Sequence, residues 1–310
     1  MARHKSKAVT RWTQGAINLV VNQEKEGFAH SHYITHGPSV CAIGLKVQDA
    51  AATLDRAEKL HDTPFRQKVG PGELEIPAVR SMGGCISSIR KVRWARCGDV
   101  EFVPMRASNK SSEAGLTTVD HISQSMQYEE MLSWLLFYTS LFDMQKTPQL
   151  DITDPGGIVR SQVVETADGA LRIALNASQS QHTQSSRFLS EYFGSGVQHI
   201  AFQTNDIVAT ARQLKANGVE TLVIPENYYD DLEARVDLPV ERLGIIKVNN
   251  ILYDRDDVGE YFQLYTRSFK DLFFIEVVER RGYRGFGAIN APIRLHAQSR
   301  LAPDLETSGL

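Results

Sequence analysis

An internal repeat constrains this chain more than any other feature. Val40-Cys41-Ala42-Ile43-Gly44-Leu45 runs on to Asp49, and Val197-Gln198-His199-Ile200-Ala201-Phe202 runs on to Asp206. Each is a β-prone run followed by an Asp placed to accept from the free N–H groups at a helix start. After Asp49, Leu54, Ala57 and Leu60 share one helical face; after Asp206 the helix reaches Asn217 and Gly218 ends it. Further strand-like runs follow each helix, and the same order opens again at Val119. One strand, one helix and three strands cannot bury a sheet face alone, so such units must pair. The pattern predicts an α+β chain of repeated βαβββ units closing into two open barrels.

Three of the strand-like runs carry groups that a buried strand does not hold without a reason. His199 sits inside Gly196–Phe202, His121 inside Thr117–Ser123, and Glu276 inside Leu272–Val278. A lone carboxylate in a buried strand is costly unless something pairs with it. A divalent metal would pair with it. Two imidazoles and one carboxylate with open positions are the donor set of a non-haem ferrous oxygenase. The three residues are far apart in sequence, so only the fold can assemble them. The earlier repeat has Ala42 where the later one has His199. The first domain is therefore expected to be metal-free, with one site in the second.

The rest of the chain is read around this frame. Strands are predicted at 16–21, 40–47, 99–105, 158–164, 171–175, 221–224, 251–253, 261–265 and 273–278, with a hairpin turn at Asp168-Gly169. Met131, Leu132, Leu135, Tyr138 and Phe142 recur at helical spacing behind Glu129 and Glu130, which predicts a helix over 128–142. Asn227 to Asp231 reads as a loop. Residues 86–98 are basic for a strand region and read as a solvated edge. Residues 106–116 are small and polar and read as a linker. The expected domains are 1–110 and 111–310.

Charge and composition exclude several functions. A net charge of -3 gives no reason to expect nucleic acid or an anionic membrane as partner. No run of about 18 apolar residues exists, so no membrane span is expected. The basic start Met-Ala-Arg-His-Lys has no apolar stretch behind it, unlike a secretory signal. Three unpaired-looking cysteines, Cys41, Cys85 and Cys97, fit a reducing cytoplasm.

An ordered set of motifs resembles the 4-hydroxyphenylpyruvate dioxygenase family, of the vicinal oxygen chelate fold. In the first half it is carried by Gln14–Leu19, His36–Asp49, Gly70–Val79 and Met82-Gly83-Gly84. In the second half it is carried by Val119-Asp120-His121, Gly194–Phe202, Phe262–Thr266, Phe273–Gly282 and Gly285–Asn290. The resemblance implies that His121, His199 and Glu276 bind Fe(II), although Mn, Co, Ni or Zn suits the same donors. Glu260 is then a decoy on the solvent side of its strand. The resemblance further implies that Ser161 and Asn176 contact substrate, that Gln184 and Gln263 lie close to the metal, and that Phe286 and Tyr265 hold the substrate ring. Asn290 belongs to the same expected set. The implied reaction takes an aromatic 2-oxo acid and O2 through oxidative decarboxylation, ring hydroxylation and side-chain migration to homogentisate. The family's habit implies a homodimer or homotetramer.

Three departures bear on this expectation. The family opens with a strand and helix that this chain lacks, so the first barrel is expected to be incomplete. Residues 86–98 are poor family sequence. The tail APIRLHAQSR, with NYYDDLEAR and ILYDRD, looks more like the dioxygenase-like half of bifunctional proteins with 3-dehydroshikimate dehydratase activity. Two alternatives follow: a metal- or ligand-binding module without turnover, or a related enzyme such as hydroxymandelate synthase.

Overall fold

The structure, a computed structural model, describes residues 1–90, 100–105, 113–270 and 272–301. The predicted strand at 99–105 appears as Phe102–Pro104. The expected solvated edge at 86–98 is corrected where it is described: Ile86–Arg90 pairs on both sides, and Ile86, Ser87 and Ile89 are buried; the stretch beyond residue 90 and most of the expected linker lie outside the described residues.

The second half forms one nine-stranded sheet built from two βαβββ units, the first with one extra short strand. The first unit is Leu116–Gln127, the helix Met131–Leu141, and the strands Gln145–Lys146, Leu150–Asp154, Gly157–Glu165 and Arg172–Ser178. The second is Gly196–Thr204, the helix Ile207–Ala216, and the strands Leu252–Arg255, Glu260–Tyr265 and Phe274–Arg281. In each unit the last strand returns to lie parallel to the first. The two first strands then pair antiparallel at the centre of the sheet. Alternate residues of a strand face opposite sides. One face takes Tyr138, Trp134 and Phe137 of the helix Met131–Leu141, and the curled inner face takes the polar groups described below.

The first half repeats this plan in smaller form. Ala42–Lys46, the helix Ala50–Lys59, and Pro64–Phe65, Ala78–Arg80 and Ile86–Arg90 make one four-stranded sheet. Ala2–His4, Val9–Gln14, Ile17–Asn22 and Phe102–Pro104 make another. Asp49 caps its helix by accepting from the N–H groups of Ala51 and Ala52, and Asp206 does the same from Ala209. The repeat read from the sequence is therefore a repeat in space. Ile17, Ile43 and Leu45 pack against Ile122, Ile200 and Phe202, which joins the two halves.

Three further expectations are corrected. Asn227–Asp231 is not a loop but part of the helix Glu226–Arg235, which buries Tyr228, Tyr229 and Leu232 on one side. Its Asn and Asp residues disguise that face, and burial overrides their weak helix propensity. Residues 221–224 make no strand. Leu222 donates to the Tyr265 carbonyl and Thr221 forms one bridge with Thr266, after which Pro225 turns the chain into the helix. Helices Gly27–His36 and Val240–Val248 were not anticipated, because neither shows a clear apolar stripe.

Gly83 locks the halves together. Its φ is +71°, and an added Cβ would lie 2.7 Å from the Trp134 ring and 2.8 Å from the Ser195 carbonyl oxygen. Trp134 is fully buried and cannot retreat. Gly83→Ala is expected to lower unfolding free energy by about 2 kcal/mol, from strain plus overpacking. Urea unfolding followed by tryptophan fluorescence measures this; an unchanged midpoint would contradict it.

Candidate metal centre

The site is assembled by register. His121 lies opposite Ala201, and Ala201 lies opposite Glu276 on its other side. His199 stands two residues before Ala201, on the same face. Three adjacent strands thus present His121, His199 and Glu276 to one point, with all three donor atoms within 4.8 Å of one another. All three side chains are buried. Both histidine Nε2 atoms lie 3.2 Å from Glu276 Oε2. Ligands at adjacent positions of an octahedral ion, each about 2.1 Å from it, sit about 3.0 Å apart. The donors present therefore fit a divalent ion.

The strand pairing also explains why the ligands are held as they are. The register slips between His121 and Val119, so Asp120 is an extra residue in its strand. Such a bulge re-aims a side chain that would otherwise face away. Asp120 Oδ1 then lies 2.8 Å from His121 Nδ1. Arg280 grips the same carboxylate through Nε at 2.6 Å and a terminal nitrogen at 2.8 Å. A second slip falls at Gln198, immediately before His199. There the neighbour is an amide, and His199 Nδ1 finds no partner.

Glu276 is divided between two tasks. Oε2 faces the histidines. Oε1 accepts from Gln263 Nε2 at 3.0 Å and from the Tyr265 hydroxyl at 3.1 Å. Asn290 Nδ2 in turn donates to Gln263 Oε1 at 2.9 Å. Gln263, Tyr265 and Asn290 thus hold the carboxylate in place.

Electrostatics separate the two imidazoles. Burial opposes charge on His121, but Glu276 and Asp120 outweigh it and lift its pKa to about 9. His199 goes down to about 4, mainly through burial, with Glu276 only partly offsetting it. Burial works against the ionised forms of Glu276 and Asp120 as well. His121 and His199 nevertheless hold Glu276 well below the carboxylate range, and Arg280 and His121 do the same for Asp120.

The other expected residues are placed as follows. Ser161 lies opposite Asn176, whose Nδ2 donates to Ser123 Oγ at 2.8 Å, and Ser123 is in register with His199. Phe286 meets the His121 ring edge-on with centroids 5.6 Å apart. Gln184 begins the helix Gln184–Tyr192; its N–H donates to Asp154, while Thr183 caps that helix. Glu260 stands apart from the donor group, tied to Arg242 and to the Tyr253 hydroxyl. Asp120, Ser123, Ser125 and Arg280 were missed. The i+2 and i+4 positions after His121 signal the serines, but nothing in the sequence announces a bulge. A cleft of about 3250 Å³ between the halves is lined by His121 but not by His199 or Glu276.

Comparison with known proteins gives the family and the fold. Residues 1–103 match the family model for the N-terminal part of hydroxyphenylpyruvate dioxygenase, and residues 118–238 match that of the glyoxalase/bleomycin resistance protein/dioxygenase superfamily. A 4-hydroxyphenylpyruvate dioxygenase of Pseudomonas aeruginosa is 32% identical, over 93% of this chain and 82% of its own length. The chain belongs to the 4-hydroxyphenylpyruvate dioxygenase family. Its fold is that of the vicinal oxygen chelate superfamily, an α+β chain with curled sheets, as the repeat predicted. A 3-dehydroshikimate dehydratase of Pseudomonas aeruginosa is 44% identical over 96% of this chain but only 47% of its own length. The chain spans about half the length of that curated relative. Among solved structures, a xylose isomerase-like TIM barrel/4-hydroxyphenylpyruvate dioxygenase fusion protein matches with TM-score 0.82 and 40% identity, over 96% of this chain and 48% of the fusion. A mutant 4-hydroxymandelate synthase from Streptomyces coelicolor matches with TM-score 0.83 and 25% identity, over 94% of this chain and 86% of its own.

Two measurements test the centre. Asp120→Asn removes the charge that fixes the His121 ring, and metal affinity should fall about 10- to 100-fold; isothermal calorimetry with Co(II) reads it, and an unchanged constant would separate Asp120 from the metal. His121 is protonated below about pH 9 in the metal-free protein, so a metal must displace that proton. Affinity should therefore fall about tenfold for each pH unit from about pH 8 to about pH 6. A flat profile would mean that His121 is already neutral.

Proposed function

We propose that this chain is a metal-dependent dioxygenase that uses Fe(II) to convert an aromatic 2-oxo acid of the 4-hydroxyphenylpyruvate type, with O2, to homogentisate and carbon dioxide. One observation carries the reading: two imidazoles and one carboxylate oxygen converge from three strands, the donor set of a non-haem ferrous oxygenase. Bound there, Fe(II) supplies the redox chemistry and the chelating positions for a 2-oxo acid.

The chain's own residues do the rest. His121, His199 and Glu276 hold the metal, and Asp120 with Arg280 fixes the His121 ring. Gln263 and Tyr265 keep Oε1 occupied, so Oε2 alone is offered as ligand. Phe286, edge-on to His121, is an aromatic wall for a substrate ring. Ser161, Asn176 and Gln184 are the candidates for contacting substrate hydroxyl or carboxylate groups. Burial of the donors excludes water from the place where the substrate reacts.

A second reading is favoured by the relatives' lengths. The 44% identical dehydratase is about twice as long as the part matched here. On that reading the chain is a metal- or ligand-binding module joined to, or acting beside, a dehydratase, without oxygenation of its own. Against it stands the complete hydrogen-bonded support of Glu276, which a site without chemistry does not need.

Oxygen uptake by anaerobically Fe(II)-loaded protein given 4-hydroxyphenylpyruvate separates the readings. The proposal expects uptake, one carbon dioxide per O2, and homogentisate by chromatography; hydroxymandelate would identify the synthase variant instead. Glu276→Ala should lose bound iron and uptake together. Folded, iron-loaded protein that consumes no oxygen would support the module.

A further inference from the structure

Among the described residues, a half-buried arginine beside the metal ligands has no carboxylate partner. Arg294 lies on the helix Ala291–Ser299, which packs on the strand Leu150–Asp154. Its guanidinium carbon is 5.7 Å from the centre of the Tyr265 ring and 5.4 Å from that of Phe274. Both rings flank the metal group: Tyr265 donates to Glu276, and Phe274 stacks on His199 at 4.6 Å. The arginine's charge is felt at His199 and Tyr265 alike.

Two other guanidiniums of this half are neutralised. Arg280 is paired with Asp120, and Arg172 with Glu165. Arg294 instead donates through one terminal nitrogen to Gln298 Oε1 at 2.6 Å, a neutral amide on its own helix. Among the described residues, no Asp or Glu forms an ion pair with it. A partly desolvated guanidinium with free N–H groups favours a carboxylate, whose two oxygens match its planar fork. The buried Ser125 hydroxyl, also without a partner, follows His121 at i+4 and adds to the polar character of that side of the sheet.

We propose that Arg294 is the receptor for a second anionic group, so that the site selects a cyclic 2-oxo acid bearing a carboxylate remote from its oxo-acid end. This rests on the reading of the centre as a chelator of 2-oxo acids. A metal held by His121, His199 and Glu276 would take the oxo-acid end, and the remote carboxylate would meet Arg294. A neutral ring substituent, such as a single hydroxyl, leaves the guanidinium unmatched.

The test is anaerobic calorimetry on Co(II)-loaded protein with phenylpyruvate and 4-carboxyphenylpyruvate. The carboxylated ligand should bind at least about tenfold more tightly. Arg294→Gln should abolish that preference and leave phenylpyruvate unchanged, while Arg294→Lys, which keeps the charge without the fork, should retain part of it. Equal affinities in the wild type, or a variant that weakens both ligands alike, would overturn the inference. Terephthalate and the metal-free protein read the receptor without any chelate. Terephthalate binding that falls at least about tenfold in Arg294→Gln supports the receptor even where no oxo acid binds, a result that would sink the chelation reading alone. Terephthalate binding that ignores the substitution would overturn the receptor even where oxo acids bind.

Discussion

The antiparallel pairing of Leu116–Gln127 with Gly196–Thr204 is the contact on which the rest depends. It joins two βαβββ units into one sheet and puts two histidines on neighbouring strands. It is not a regular ladder. An extra residue precedes each histidine, Asp120 in one strand and Gln198 in the other. Bulges of this kind bend a strand and increase its twist, which helps a sheet curl around a centre. They also place a second polar side chain beside each imidazole. The two units have diverged at that position. Asp120 clamps His121, whereas His199 Nδ1 is left without a partner. One ligand is fixed by charge, and the other by packing against Phe274.

This asymmetry makes sense as charge balance. Glu276 and Asp120 are two buried carboxylates, and Arg280 matches one of them. The second negative charge must be met, or the fold bears an uncompensated ion in its interior. In the metal-free protein the proton on His121 meets it, which is why that imidazole titrates high; His199 titrates low mainly through burial. Because the folded-state value is raised, this proton stabilises the metal-free fold fully below the ordinary pKa of 6.5, and the contribution fades as pH rises through about 9. A divalent ion takes over the same duty with more charge and a defined geometry. The site therefore stays folded when empty and gains a preference for metal as the proton becomes easier to lose.

The sequence made the repeat and the ligands legible because both obey short-range rules. Asp49 and Asp206 are helix caps, and caps are local. His121, His199 and Glu276 are charged or ionisable groups in runs otherwise fit for burial, which is unusual wherever it occurs. What escaped notice depends on pairing between distant strands. Asp120 looks like an ordinary neighbour of His121 until a slip in register turns it round. Arg280 is one of two adjacent arginines near a strand end, and only the fold sets it on Asp120. The helix Glu226–Arg235 was hidden for a different reason: its buried face is Tyr228, Tyr229 and Leu232, exposed aspartates stand between them in sequence, and only the core against which the tyrosines pack decides between loop and helix. Tyr265 and Gln263 were recognised as site residues, but their partner, Glu276 Oε1, was not readable from spacing.

That partner shifts the question of selectivity. Gln263 spends its amide on Glu276 and Tyr265, Tyr265 spends its hydroxyl on Glu276, and Asn290 spends its side chain on Gln263, Tyr228 and the Tyr253 carbonyl. Groups already satisfied by the protein have little left with which to recognise a substrate, since breaking those bonds costs about what new ones return. Discrimination must then come from groups whose hydrogen-bonding capacity is unspent. Around this centre these include the Ser125 hydroxyl and the guanidinium of Arg294. The first is neutral and weakly selective. The second is a cation lying over two aromatic rings, and its charge and planar fork favour an anionic ligand over a neutral one. Gln263, Tyr265 and Asn290 are thus spent on holding Glu276, whereas Arg294 is not, so a change at Arg294 leaves those bonds in place.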